Sequence, residues 1–208
     1  MGRRSDHTRH ELEALILAEG HRLMAETGYA RFSAREVAKR IGYSIGTLYN
    51  VFESLDHLLL AINSRTFTLW AQSIRARLEG GSADRIAVLV DGYFDFALAN
   101  PNLWMAIYDH RMGPGQTLPE RYVAQRGELT SLVEAEIAAI LPPGRATLAA
   151  GLARSLVAGV HGHCLFAVNG TFALLGEDDP RGAALARVRE TLAAAGAAVA
   201  IQGGKDDA

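Results

Sequence analysis

The sequence predicts an all-α protein, and three observations carry that prediction. Nearly every segment boundary has the residues of a helix cap, and no run alternates apolar and polar residues over the length of a strand. In the first and last segments the apolar residues recur at spacings of three and four, as one face of a helix requires.

Taken in order, the first helix starts at Thr8, with Glu11 three residues on as a capping box. Leu12, Leu15, Ile16, Leu23 and Met24 give it an apolar side, and Gly28 suits its end. Ser33 with Glu36 opens a short second helix that turns Val37, Ala38 and Ile41 inward. Gly42 then supplies the left-handed residue of a sharp turn. Ser44 caps a third helix through about Val51, and Ser54 a fourth. The fourth meets no breaker until Gly80, so it reaches roughly 36 Å at about 1.5 Å per residue. Further helices are expected near 83–99, 101–108, 118–141, 145–168 and 181–201. Asn100-Pro101 makes a cap and first-turn pair, Gly113-Pro114-Gly115 a loop, and Pro142-Pro143-Gly144 a break.

The chain has 208 residues and a net charge of −2, which names no partner, but its charge is segregated. Arg3, Arg4 and Arg9 stand against Asp6, and Arg31, Arg35, Lys39 and Arg40 against Glu36, so both stretches are locally positive. From Ala61 onward 13 basic residues face 15 acidic ones, which excludes a general polyanion binder there. Cys164 is the single cysteine, so neither an intramolecular disulfide framework nor a Cys-rich zinc site is available. The N-terminal residues lack the apolar core of a signal peptide, and a cytoplasmic location is expected. Ser155 to Gly176 runs 22 residues without Asp, Glu, Lys or Arg. His161, His163, Asn169 and three glycines interrupt it, so it reads as a buried helix rather than a membrane span.

Two short capped helices around Gly42 form a helix-turn-helix pattern, whose second helix enters the DNA major groove. Arg35, Lys39 and Arg40 can meet phosphate oxygens, and Ser33 and Ser44 cap helix N-termini that favour phosphate. On the reader, Gly46 permits close backbone approach, Tyr43 and Ile45 offer apolar contact to thymine methyls, and Asn50 offers a bidentate amide to adenine. Leu48 points inward. The alternative for the three basic side chains is a solvated face.

The run from Gly42 to Phe52, preceded by Ser33-x-Arg35-Glu36-Val37-Ala38 and followed by Ser54 and a Leu-rich helix, resembles the DNA-binding domain of the tetracycline-repressor (TetR) family over roughly residues 8–60. The resemblance implies phosphate contacts at Thr47 and Tyr49, with Phe52 locking the reader onto the first and fourth helices. Leu55 stands where the family usually has Lys. The expected organisation is a three-helix DNA-binding domain over 1–53 and a larger helical effector-binding and dimerisation domain over 54–208. Asn100 to Trp104 and Val160-His161-Gly162 are similar to a branch named for a Trp-His-Gly motif, with Val160 at the Trp position.

In the second domain the resemblance implies a mostly apolar ligand cavity. The candidates for its walls are Phe67, Trp70, Tyr93, Phe96, Trp104, Met105, Tyr108 and His161, with Met112 nearby; by pattern alone these fit a plain core equally well. His161 and His163 project about 200° apart on a helix and cannot share a small ion. No metal and no cofactor is expected. Gly151, Ser155, Gly159 and Gly162 form a small-residue face, and Leu185, Val188, Leu192, Ala195 and Val199 an apolar stripe. The resemblance implies that this pair of helices builds a two-fold homodimer on a palindromic DNA operator. The expected function is a ligand-responsive regulator, most simply a repressor, and not an enzyme: no G-x-S-x-G elbow, Walker loop or H-E-x-x-H helix occurs. A regulator without a small-molecule effector is the alternative, and an enzyme using the same cavity, built on Ser155 and His161, the more distant one.

Overall fold

Thr8 accepts a hydrogen bond from the Glu11 amide while the Glu11 carboxylate reaches back to the Thr8 amide, and this reciprocal cap starts α1, Arg9–Thr27. The structure is a computed structural model that describes residues 7–111, 113 and 119–199. Arg3, Arg4, Asp6, Met112, Pro114, Gly115 and the end of the segment expected to reach 201 lie outside the described residues. The further helices are α2 (Ala34–Arg40), α3 (Ile45–Phe52), α4 (Leu55–Glu79), α5 (Arg85–Ala99), α6 (Pro101–Asp109), α7 (Glu120–Ile140), α8 (Ala149–Val168), α9 (Thr171–Leu175) and α10 (Pro180–Ala194). Among the described residues there is no strand.

The chain divides into two compact units. One comprises Met1–Leu69 and Asn100–Arg126, the other Trp70–Ala99 and Gly127–Ala208. The division falls inside α4 rather than at the expected 53/54 junction. Leu58, Leu59, Leu60 and Ile62, in the first half of α4, are buried in the same core as Ile16, Met24, Val37, Leu48 and Phe52, so they pack as part of the first unit. Burial of each large apolar side chain of this kind contributes about 1.5–3 kcal/mol before entropy is counted. Leu103 and Ala106 of α6 join that core, and Asn102 Nδ2 donates to the Ala25 carbonyl at 2.8 Å, pinning α6 to α1.

In the second unit, α5, α8 and α10 pack on one another. Gly92 of α5 faces the Ile74 side chain of α4 so closely that a Cβ would collide with it. Around this core the charges pair: Arg85 with Glu136 at 2.6 Å, Arg77 with Asp95 at 2.7 Å, Arg181 with Asp95, and Arg189 with Asp84.

Two expectations from sequence need correction. The last helix stops at Ala194, and Gly196 with φ 83° turns the chain, so Val199 is not part of it. The apolar stretch 155–176, read as a buried helix, is not one helix: α8 ends at Val168, and the short α9 follows, enclosed by left-handed Gly170 and Gly176.

Candidate functional site

Ser33 accepts the Glu36 amide and Ser44 the Thr47 amide, so both helices of the helix-turn-helix start at hydroxyl caps. Gly42, at φ 76°, makes the turn between them. Leu48 is wholly buried and Phe52 nearly so, which fixes the roll of α3 and leaves Gly46, Tyr49 and Asn50 exposed. Thr47 is half-buried and its hydroxyl lies 2.9 Å from the Ser44 hydroxyl. Ile45 packs partly against the core, so only part of its side chain remains to meet a base. Tyr43 is half-buried, and its hydroxyl is 2.8 Å from His7 Nδ1. Leu55, in place of the usual Lys, is 40% exposed at the start of α4, where Ser54 Oγ accepts the His57 amide.

The three basic residues of α2 do not share one role. Arg35 is exposed, and the Lys39 side chain is 80% exposed with Glu36 3.9 Å away. Arg40 is different: it donates to Glu26 at 2.8 Å, Glu36 at 3.0 Å and Glu19 at 3.4 Å. Those bonds raise the Arg40 pKa, and the Arg40 bond holds the Glu26 carboxyl below its ordinary value. Arg40 therefore ties α2 to α1, where sequence reasoning assigned it to phosphate. The acidic residues on α1, Glu19 and Glu26, were the available signal.

The eight residues expected around one effector cavity divide between the two units. In the first, Trp104 is fully buried with its ring edge on Tyr108, Met105 is half-buried, and Phe67 lies under the Arg126 guanidinium at 5.3 Å. In the second, buried Trp70 stacks on Phe96 at 4.8 Å and meets Tyr93 edge-on at 4.6 Å. The Tyr93 hydroxyl is 3.0 Å from His161 Nδ1, and burial holds the His161 pKa below its ordinary value. Beside this cluster, and within the second unit, lies a small cavity of about 50 Å³ walled by α5, α7, α8 and α10. Of the eight candidates Tyr93 alone lines it; the other described walls are aliphatic, such as Leu89, Val90, Ile137, Leu156 and Val160. Aromatic spacing led sequence reasoning to the neighbouring core, whereas a valine-rich wall has no distinctive signature.

The proposed dimer residues also separate. Gly151 and Ser155 are exposed on α8, together with Ala158 and Gly159. Leu185 is half-buried, but Val188 and Leu192 are buried and line the cavity of their own chain. Val188 and Leu192 are satisfied within the unit by α5 and α8, which corrects the assignment of these two to an interface, while Leu185 keeps part of its surface. Near the end of α8 further apolar surface is uncovered: Phe166, Leu174 at 88% and Leu175 at 66%. The stretch Ala146–Val168 is also apolar and long enough to cross a bilayer by length and composition.

A helix-turn-helix with an exposed reader, on a chain whose other unit encloses an apolar cavity, is the architecture of a helical DNA-binding regulator. Comparisons with known proteins agree. Residues 16–62 match the family described as bacterial regulatory proteins, tetR family, and residues 86–200 match the tetracyclin repressor-like C-terminal domain. The chain belongs to the TetR family of transcriptional regulators. A nucleoid occlusion factor, SlmA of Mannheimia succiniciproducens, is 30% identical over 96 residues, 44% of each chain. The chain thus spans about half the length of the curated relatives it matches. A solved protein of unknown function from Rhodococcus sp. RHA1 superposes with a TM-score of 0.70 at 21% identity, covering 93% of this chain and 98% of that one. The multidrug binding protein EbrR, solved with imidazole, superposes at 0.59 with 20% identity, over 97% and 100% of the two chains. Both likenesses concern the fold.

Proposed function

We propose that this regulator is a cytoplasmic homodimeric repressor, released from a palindromic operator when a small, largely apolar effector enters the cavity of the second unit. The cavity carries the reading: its walls are apolar with the Tyr93 ring among them, the kind of lining that small-molecule sites favour. The exposed small residues of α8 favour close helix approach in a two-fold pair, with Phe166, Leu174 and Leu175 adding apolar area. Arg35, Lys39, Ser33, Ser44, Thr47 and Tyr49 hold phosphates, while Gly46, Asn50 and the solvent-facing parts of Tyr43 and Ile45 meet base edges.

Release follows from chain connectivity. Ile86, Leu89, Val90 and Tyr93 put α5 in the cavity wall, and α5 runs through Asn100-Pro101 into α6, which Asn102 pins to α1. Occupancy that shifts α5 pulls on α6 and tilts the reader. Half-sites about 34 Å apart tolerate little change in reader spacing.

Selection of bound fragments from the source genome tests the DNA half of the reading and yields the operator. No enriched fragment would refute it. A regulator that holds its operator against every cavity-filling compound would be one without an effector.

A further inference from the structure

A second depression, of about 290 Å³, lies wholly within the first unit, where α1, α4 and the start of α7 meet. Leu17, Ala61 and the buried Tyr122 give it an apolar wall. A cavity of about 150 Å³ accepts benzene, so this space holds at most about a dozen non-hydrogen atoms.

Two charges in the same wall are left over from the ion pairing of their helices. On α1, Glu11 serves the cap, and Glu19 and Glu26 hold Arg22 and Arg40; on α4, Arg75 pairs with Glu128 and Arg77 with Asp95. Glu13 of α1 and Arg65 of α4 have no ion-pair partner among the described residues, and they do not pair with each other across the depression. Thr68, one turn on from Arg65, gives its hydroxyl proton to the Ser64 carbonyl at 3.2 Å and keeps its lone pairs for a donor, while the Gln125 amide both donates and accepts.

Such a wall discriminates by charge. A ligand carboxylate alone would gain Arg65 and be repelled by Glu13, and an ammonium alone the reverse; a ligand carrying both groups finds one partner for each. We propose that this depression binds an apolar α-amino acid in its zwitterionic form, with its carboxylate on Arg65, its ammonium on Glu13 and its side chain against Leu17, Ala61 and Tyr122. The described lining residues include none that line the cavity of the second unit, and the site stands or falls independently of the release reading.

Three probes of one carbon skeleton test it on the full chain by ligand-observed NMR titration: L-leucine, 4-methylpentanoate, which lacks the amino group, and 3-methylbutylamine, which lacks the carboxylate. Leucine should bind, and each of the others at least about fivefold more weakly. Arg65→Gln and Glu13→Gln, at an exposed and a half-buried position, should keep helicity by circular dichroism and each weaken leucine about fivefold. Glu13→Gln should also tighten 4-methylpentanoate, because it removes the repelling charge, an effect that a merely structural role would not produce. Either single-charge probe binding as tightly as leucine overturns the proposal, and so does failure of leucine to bind. Leucine binding that both variants leave intact lies elsewhere on the protein and overturns it too.

Discussion

Arg35 and Arg40 stand on the same seven-residue helix and do different things, one facing solvent and the other held by three carboxylates of α1 and α2. Arg35→Ala should weaken binding to all duplexes alike and lower the slope of log affinity against log salt by up to about one, measured by anisotropy titration. Arg40→Ala should instead lower the melting temperature and loosen operator binding with little change in that slope. Equal slope changes in the two variants would return Arg40 to the phosphate contacts. His21, half-buried beside Thr66, has its pKa pushed down to about 4, first by burial and then by Arg65. The unfolded chain takes up that proton near the ordinary value of 6.5, so stability is complete above it, falls as pH drops toward 4, and levels off below. His161 contributes with the same sign. Denaturant melts of His21→Leu between pH 6.5 and 5 should show a shallower acid loss than the parent.

Whole helices were legible where caps and breakers are local. Ser44, Ser54 and Gly80 bound α3 and α4 because each cap acts within one turn of its own residue. Which face a helix buries is a tertiary outcome, and there the stripe of α10 misled: Val188 and Leu192 suit an interface or an internal core equally well by spacing. The correction changes the test of dimerisation. Leu192→Asp would unfold the second unit, whereas Gly159→Glu adds a charged side chain where a Cβ meets nothing within 4 Å. Gly159→Glu should therefore leave helicity intact and yield monomers by light scattering; an intact dimer would remove this face of α8 from the interface. Asn102 carries an element-scale role of the same kind. Asn102→Ala frees α6 from the Ala25 carbonyl and should shrink the effector's influence on operator affinity more than it changes either affinity alone, as read from titrations of the variant.

For the molecule as a whole, the DNA-reading end was legible because its chemistry is sequential: caps, turn glycine and reader residues lie within Ser33 to Phe52. The cavity was not, because its walls come from four helices that meet only on folding. On the release proposal the link between them is a coupling free energy, and thermodynamic linkage makes it reciprocal. About 1–3 kcal/mol would weaken operator binding by roughly 5- to 150-fold, and operator must weaken ligand binding by the same factor. The most direct measurement takes the selected operator and a compound selected for binding the cavity of the second unit, and determines each Kd with and without the other. The account predicts two equal factors within that range. Affinities that ignore each other, with both ligands bound, would contradict it.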